Sequence, residues 1–248
     1  MLSHPASVRR RGDRRVFAAE ARHIPSRQIK NLVFGLAVLC VTGCSSIPFE
    51  KAQYVSVNTV QPTAIREQFA NSLSKKFKVV STIVFQYRRH KFSAIGYTDV
   101  DSLQKIFTIV CLNHAGIKLF ELTGNNNSFE CKFALEGASF PGNFAKAVAN
   151  DIRRIYFDCI PDPEAKIYKK KDKIIFKQPV EAGVMKCIFA GTDNLLVEKR
   201  YYKGWRKIWS VFYYEYREKN GKLYPSGIIL KHHKYHYQLT VRVKEIQA

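Results

Sequence analysis

Two blocks of period-two alternation, separated by one stretch of helical period, set the limits on what this chain folds into. Val79, Ser81, Ile83, Phe85 and Tyr87 alternate with Val80, Thr82, Val84 and Gln86, a spacing that puts one set on each face of a strand. Phe92 to Tyr97, then Leu103 to Cys111, then Ile117 to Thr123 follow as further strands. Gly124-Asn125-Asn126-Asn127 is the strongest turn signal, because glycine and asparagine tolerate positive φ. Phe129, Cys131, Phe133 and Leu135 alternate cleanly with Glu130, Lys132, Ala134 and Glu136. Short turns between successive strands predict antiparallel neighbours, a meander.

Between the blocks, Pro141 to Phe157 carries Phe144, Val148, Ile152, Ile155 and Tyr156 on one helical face, and Pro161 and Pro163 stop it. A shorter helix is expected from Pro62, where a missing N–H costs nothing. There Ile65, Phe69, Leu73 and Phe77 recur every four residues. After Pro163 the strands return: Ile174 to Lys177, Val184 to Ala190, Leu195 to Tyr202, Trp205 to Tyr216, Leu223 to Lys231 and Tyr235 to Val243. Lys169-Lys170-Lys171 reads as a loop. The layout predicts an α+β, mainly β, fold: a curved antiparallel sheet of about 11 strands forming an incomplete half-barrel, closed by helices. Residues 62–248 make one domain of this kind.

The N-terminus has a different character. Leu32 to Val41 is free of charge, and Arg22, Arg27 and Lys30 precede it. A basic n-region and a short apolar h-region describe an export signal, too short to span a bilayer as a helix. Val41-Thr42-Gly43-Cys44 then looks like a bacterial lipobox, which places signal cleavage between Gly43 and Cys44 and lipidation on Cys44. An ordinary signal peptide that carries cysteines is the plainer alternative. The expectation is a signal over 1–43 with a long basic n-region, a lipidated tether over 44–61, and a membrane partner reached through the N-terminal anchor.

Residues 1–43 hold eight Lys/Arg and two Asp/Glu, so their removal leaves +15 of the +21 net charge. A basic exported surface meets anionic headgroups or polymers rather than nucleic acid. Cys111, Cys131, Cys159 and Cys187 lack a Cys-x-x-Cys spacing, which points to neither a redox centre nor zinc. Export permits disulfides among them, and buried free thiols are equally natural. His232, His233 and His236 cluster, but no further ligands are spaced for a metal. Asp151 and Asp158 lie two helical turns apart, and Arg154 is placed to partner either. No Gly-x-Ser-x-Gly, His-Glu-x-x-His or phosphate-binding glycine loop is present. The sequence therefore predicts no enzyme, no cofactor and no metal.

Gly116 to Leu122, Asn150-Asp151-Ile152 with a proline soon after, Tyr224 to Leu230 and Tyr237-Gln238-Leu239 carry a resemblance. With the lipobox and two meanders about a central helix, the chain resembles the LolA- and LolB-like lipoprotein carrier and receptor superfamily. It is most similar to outer-membrane lipoproteins of that superfamily encoded beside aryl-polyene genes. The resemblance implies a cavity for a lipid, acyl or polyene ligand, a place on the periplasmic face of the outer membrane, and a periplasmic carrier as delivering partner. Ser45 after the lipobox cysteine resembles the outer-membrane sorting pattern. The residues assigned to ligand contact are Phe107, Ile109, Phe133, Phe144, Val148, Trp205 and Trp209. The aromatic strand holding Trp205, Trp209, Phe212, Tyr213, Tyr214 and Tyr216 serves equally well as core. A non-enzymatic envelope scaffold with a packed interior is the alternative function. The apolar residue that the receptor displays on a protruding loop has only a weak counterpart here, Gly137-Ala138-Ser139-Phe140.

Overall fold

The computed structural model describes residues 47–136 and 143–247. The signal, the Gly43/Cys44 junction and the Gly137–Phe140 loop lie outside the described residues. Pro48–Ala248 is a compact unit. It holds both described helices, the twelve-stranded sheet and both apolar cores.

Helix α1 spans Pro62–Ser72 and starts on its proline. Ile65 and Phe69 of its stripe are buried; Leu73 caps the helix, and Phe77 already belongs to the next strand. Five strands follow: β1 (Lys76–Tyr87), β2 (His90–Asp101), β3 (Ile106–Leu112), β4 (Lys118–Gly124) and β5 (Phe129–Ala134). Helix α2 (Phe144–Tyr156) then leads to β6 (Lys166–Lys170), β7 (Lys173–Val180), β8 (Gly183–Ala190), β9 (Leu195–Lys203), β10 (Arg206–Lys219), β11 (Lys222–His232) and β12 (Tyr237–Gln247).

All twelve strands form one sheet in the order β5-β4-β3-β2-β1-β12-β11-β10-β9-β8-β7-β6. Each pairing is antiparallel, and β1–β12 joins the two meanders (Ile83 opposite Val241, Tyr87 opposite Tyr237). The sheet stays open, with β5 and β6 at its edges. The strand beyond the expected eleven is β6, which includes Lys169 and Lys170. All five of its residues are exposed, so no buried face imposes a period on the sequence. Lysines on an open edge also discourage pairing with another chain. The other edge strand, β5, departs from expectation in the same way: Cys131 and Phe133 alternate as core residues do, yet both are exposed.

Residues 48–61 are laid on the domain. Phe49 is buried against Tyr214, ring centroids 5.3 Å apart, and the Val57 amide donates to the Lys171 carbonyl at 3.0 Å. Gly227 makes room for the first contact, because a Cβ there would overlap the Phe49 ring. The packing splits into two clusters. One gathers α1 and Ile155 of α2 with β7–β12, and the other gathers Ala149 and Ile152 of α2 with β2–β4; Tyr156 packs against both. Among the described residues no helix is long and apolar enough to cross a membrane.

Candidate functional site

An apolar cavity of about 220 Å3 lies where the two helices meet the middle of the sheet. Phe69 and Leu73 of α1 form one wall, and Ile155 and Tyr156 of α2 another. Val79 of β1 with Val243 and Ile246 of β12 lines the floor, beside Tyr213 and Tyr216 of β10. Two residues three apart on a strand ordinarily face opposite ways. Here Glu215 takes φ 51° and breaks the alternation, so Tyr213 and Tyr216 both reach the cavity. Charge appears only at the rim, as Lys75 and Asp158; Asp158 is held by Lys105 at 2.8 Å.

Each phenol on this wall is treated differently. Tyr213 donates to the Ile155 carbonyl at 2.7 Å, and Tyr216 to the Leu196 carbonyl at 2.9 Å. Burial raises the pKa of both well above the ordinary tyrosine value. Tyr156 packs edge-on against Phe77 at 5.6 Å. Burial holds it in the neutral form as well.

Polar contacts fix α2 at its C-terminal half. Arg153 donates to the Asn125 and Ser128 carbonyls of the β4–β5 turn, each at 2.6 Å. Asp151 accepts from Arg154 at 2.6 Å and from the Tyr237 hydroxyl at 2.8 Å. Burial raises the Asp151 carboxyl to about 6, against the pull of Arg154 and of the hydrogen bonds. Lys199, 1% exposed, donates to the carbonyl of Phe157 at 2.5 Å, satisfying an orphan acceptor where helix-dipole charge is negative. Its ammonium also lies 3.8 Å from Cys159 Sγ. The N-terminal half of α2, with Phe144 and Val148, packs by apolar contact against β2–β4.

None of the seven residues assigned from sequence lines the cavity. Phe107 and Ile109 are buried beneath α2, with Phe144 and Val148 packed over them. Trp209 stacks on Tyr201 at 5.7 Å and sits beneath Arg154. Phe133 is 39% exposed on β5, and Trp205 is 86% exposed in the β9–β10 turn. The four cysteines are free thiols, with Cys111 and Cys187 buried. Among the described residues no His/Cys/Asp/Glu group could hold a metal; His232 stacks between Tyr235 and Tyr237 at 4.6 and 5.0 Å. Asp158 pairs with Lys105, leaving Arg154 to Asp151. The sequence places Tyr213 and Tyr216 within the aromatic strand and Tyr156 on the apolar face of α2, without marking Tyr156 as a wall residue, and gives no sign of Lys199. Lys199 sits between Glu198 and Arg200, a triplet that reads as solvated; its pairing with Cys187 and Val211 turns it inward.

No protein-family profile matches the chain, and no curated protein matches it. Solved structures do. A LolA superfamily protein from Nitrosomonas europaea is similar over 76% of this chain and 93% of its own, at 11% identity and a TM-score of 0.50. An outer membrane lipoprotein-sorting protein domain from Vibrio parahaemolyticus is similar over 74% of this chain and 90% of its own, at 6% identity and a TM-score of 0.48. A DUF1329 family protein from Desulfovibrio piger covers the same shares at 7% identity and a TM-score of 0.43. The first of these establishes the fold: the chain has the LolA-like open half-barrel.

Proposed function

We propose that this chain is an exported envelope lipoprotein, anchored through Cys44 on the periplasmic face of the outer membrane, that holds or passes a hydrophobic chain-like ligand. The cavity carries this reading. Its wall is apolar and aromatic, its charges stand at the rim, and such a surface rewards burial of hydrocarbon and offers little to a polar solute. A LolA-like fold supports a role in binding or sorting lipoproteins. The ligand class is a lipid, an acyl chain or a polyene, whose flat conjugated chain suits the Tyr156 and Tyr213 rings.

At about 220 Å3 the space is below the range of roughly 300–1,000 Å3 usual for small-molecule pockets. A segment of chain enters the closed arrangement; a whole acyl chain needs α2 to lift. The helix is built to lift from one end, because the hydrogen bonds of Asp151, Arg153 and Ile155 to the strands and the β4–β5 turn gather in its C-terminal half. Raising the N-terminal half opens the space under Phe144 and Val148 and over Phe107 and Ile109, continuing the cavity toward residues assigned from sequence. The same modest volume favours the second reading, an assembly lipoprotein with a packed interior.

Native mass spectrometry of Pro48–Ala248, exported to the periplasm and purified without detergent, separates the two. Bound mass that releases as a phospholipid, fatty acid or polyene is the expected result. A bare protein mass, unchanged after incubation with envelope lipid extract, would establish the packed scaffold instead.

A further inference from the structure

The strand register brings three consecutive hairpin tips to one rim of the sheet: β1–β2, β11–β12 and β9–β10. They are two strands apart, hence about 10 Å from tip to tip. Each presents an aromatic ring with a cation over it. Arg88 lies 5.3 Å from the Tyr87 ring, Lys234 5.2 Å from Tyr235, and Arg206 5.3 Å from Trp205. Tyr235 is 56% exposed and Trp205 86%. Further exposed cations stand beside them: Arg89 and Lys91 on the first tip, Lys203 and Lys207 on the third.

Residues 87–91, 203–207 and 233–236 contain no Asp or Glu. None of their Lys or Arg side chains forms an ion pair with a described acid. The flanking β7–β8 turn supplies one carboxylate, Glu181. At the opposite rim the charges are mixed, with Asp101, Lys105 paired to Asp158, Asp172 and Asp193. Seven cations with no counter-ion would ordinarily be satisfied by water alone. An exposed tryptophan and an exposed tyrosine on the same rim add a cost in apolar area that water does not relieve.

We propose that this rim is a docking face for an anionic phospholipid surface. Trp and Tyr rings settle at headgroup depth, with their apolar bodies among the first methylenes and their polar edges in water. Lys and Arg beside them meet the phosphates, each adding affinity that falls off with salt. A flat bilayer engages three tips in a row at once. The inference does not depend on what the cavity holds, but it fixes a direction. The Ser102–Leu103 turn at the cavity rim is at the other end of the strands, so docking points the entrance away from the bilayer.

The test is co-sedimentation of Pro48–Ala248, the unit with the complete sheet, with phosphatidylcholine vesicles containing or lacking phosphatidylglycerol. Binding is expected only with the anionic lipid. Arg206→Gln with Lys207→Gln should weaken it at least about tenfold. Lys170→Gln with Lys171→Gln, the same charge change at the opposite rim, should leave it within twofold. The two tryptophans differ sharply in exposure, 86% for Trp205 and 9% for Trp209, so acrylamide quenching reports Trp205 and should fall when vesicles bind. Equal losses from the two charge pairs, or quenching unchanged on bound vesicles, would overturn the proposal in favour of diffuse charge attraction. Polyglutamate binding as tight as the vesicles, with the same rim dependence, would overturn it in favour of an acidic protein partner.

Discussion

The Tyr237 hydroxyl lies 2.8 Å from each carboxylate oxygen of Asp151, and this contact fastens the central helix to the last strand of the sheet. Arg154, one helical turn on, shares the same carboxylate and covers Trp209 of β10. One buried acid therefore connects α2 to β12 and, through its arginine, to β10. Together with Arg153 on the β4–β5 turn and Lys199 on the Phe157 carbonyl, it makes the C-terminal half of α2 the fixed end of the helix.

Tyr237→Phe keeps the ring stack on His232 and removes only the donor. Asp151 retains Arg154 but loses a hydrogen bond to a buried charge, which costs about 1–3 kcal/mol. Urea unfolding of the variant should show a lower midpoint with an unchanged slope. A midpoint equal to that of the parent would mean that Arg154 alone satisfies the acid.

Asp151 and His232 respond to pH in opposite senses. Burial raises the Asp151 carboxyl to about 6, so the folded state holds that proton more tightly than the unfolded chain. Its stabilising contribution is complete below about 4 and is lost as pH rises through 6. Burial, aided by the Arg154, His233 and Lys234 cations, lowers His232 to about 4. Its contribution is complete above about 6.5 and is lost as pH falls through 4. The two slopes offset each other between pH 4 and 6, and the parent should be nearly flat there. Asp151→Asn should leave stability rising with pH across that window, and His232→Gln should leave it falling, each by on the order of 2 kcal/mol. Urea midpoints at half-unit pH steps measure this, and parallel curves for all three proteins would refute it.

Local period carried much of the fold into the sequence. Ile65 and Phe69 repeat at helical spacing and are the buried residues of α1. Val79 to Tyr87 alternates and is β1. What lacked a local trace is pairing at long range: nothing around Ile83 or Val241 announces that they face each other, yet that contact closes two meanders into one sheet. Edge strands also escaped, because burial is what makes a period visible. Fully exposed β6 shows none, and β5 keeps an alternation that no core uses. The cavity was half legible. Tyr213 and Tyr216 belong to a strand already read as aromatic, but their shared face depends on the backbone at Glu215. Tyr156 ends the apolar face of α2 and carried no mark of a wall residue.

The docked N-terminal segment gives a third expectation. Gly227→Ala places a methyl group where the Phe49 ring lies, so the ring must leave its stack on Tyr214. Overpacking of this kind costs about 1–3 kcal/mol. Peptide bonds in residues 48–61 should then be cleaved by limited proteolysis at least tenfold faster, while the strands stay protected. Cleavage at the parental rate would show that the segment is held by Val57 rather than by Phe49.

Lipidation at Cys44 is tested in the full chain, which carries the signal and the Gly43/Cys44 junction. Cys44→Ala should abolish incorporation of labelled palmitate and leave an unprocessed precursor in the membrane fraction. Label that persists in the variant would move the modification to another cysteine and make the N-terminus an ordinary signal.

Filling the cavity separates carrier from scaffold without disturbing its rim. Val243 is half-buried on β12 and lines the floor; Val243→Phe adds a ring that takes up much of about 220 Å3. If the space serves a ligand, the variant should lose co-purifying lipid by at least tenfold and keep its melting temperature within a few degrees, since new apolar contacts offset the strain. If the space is only imperfect packing, the ring should raise the melting temperature and leave no lipid to lose. The two readings thus move stability and ligand content in different patterns.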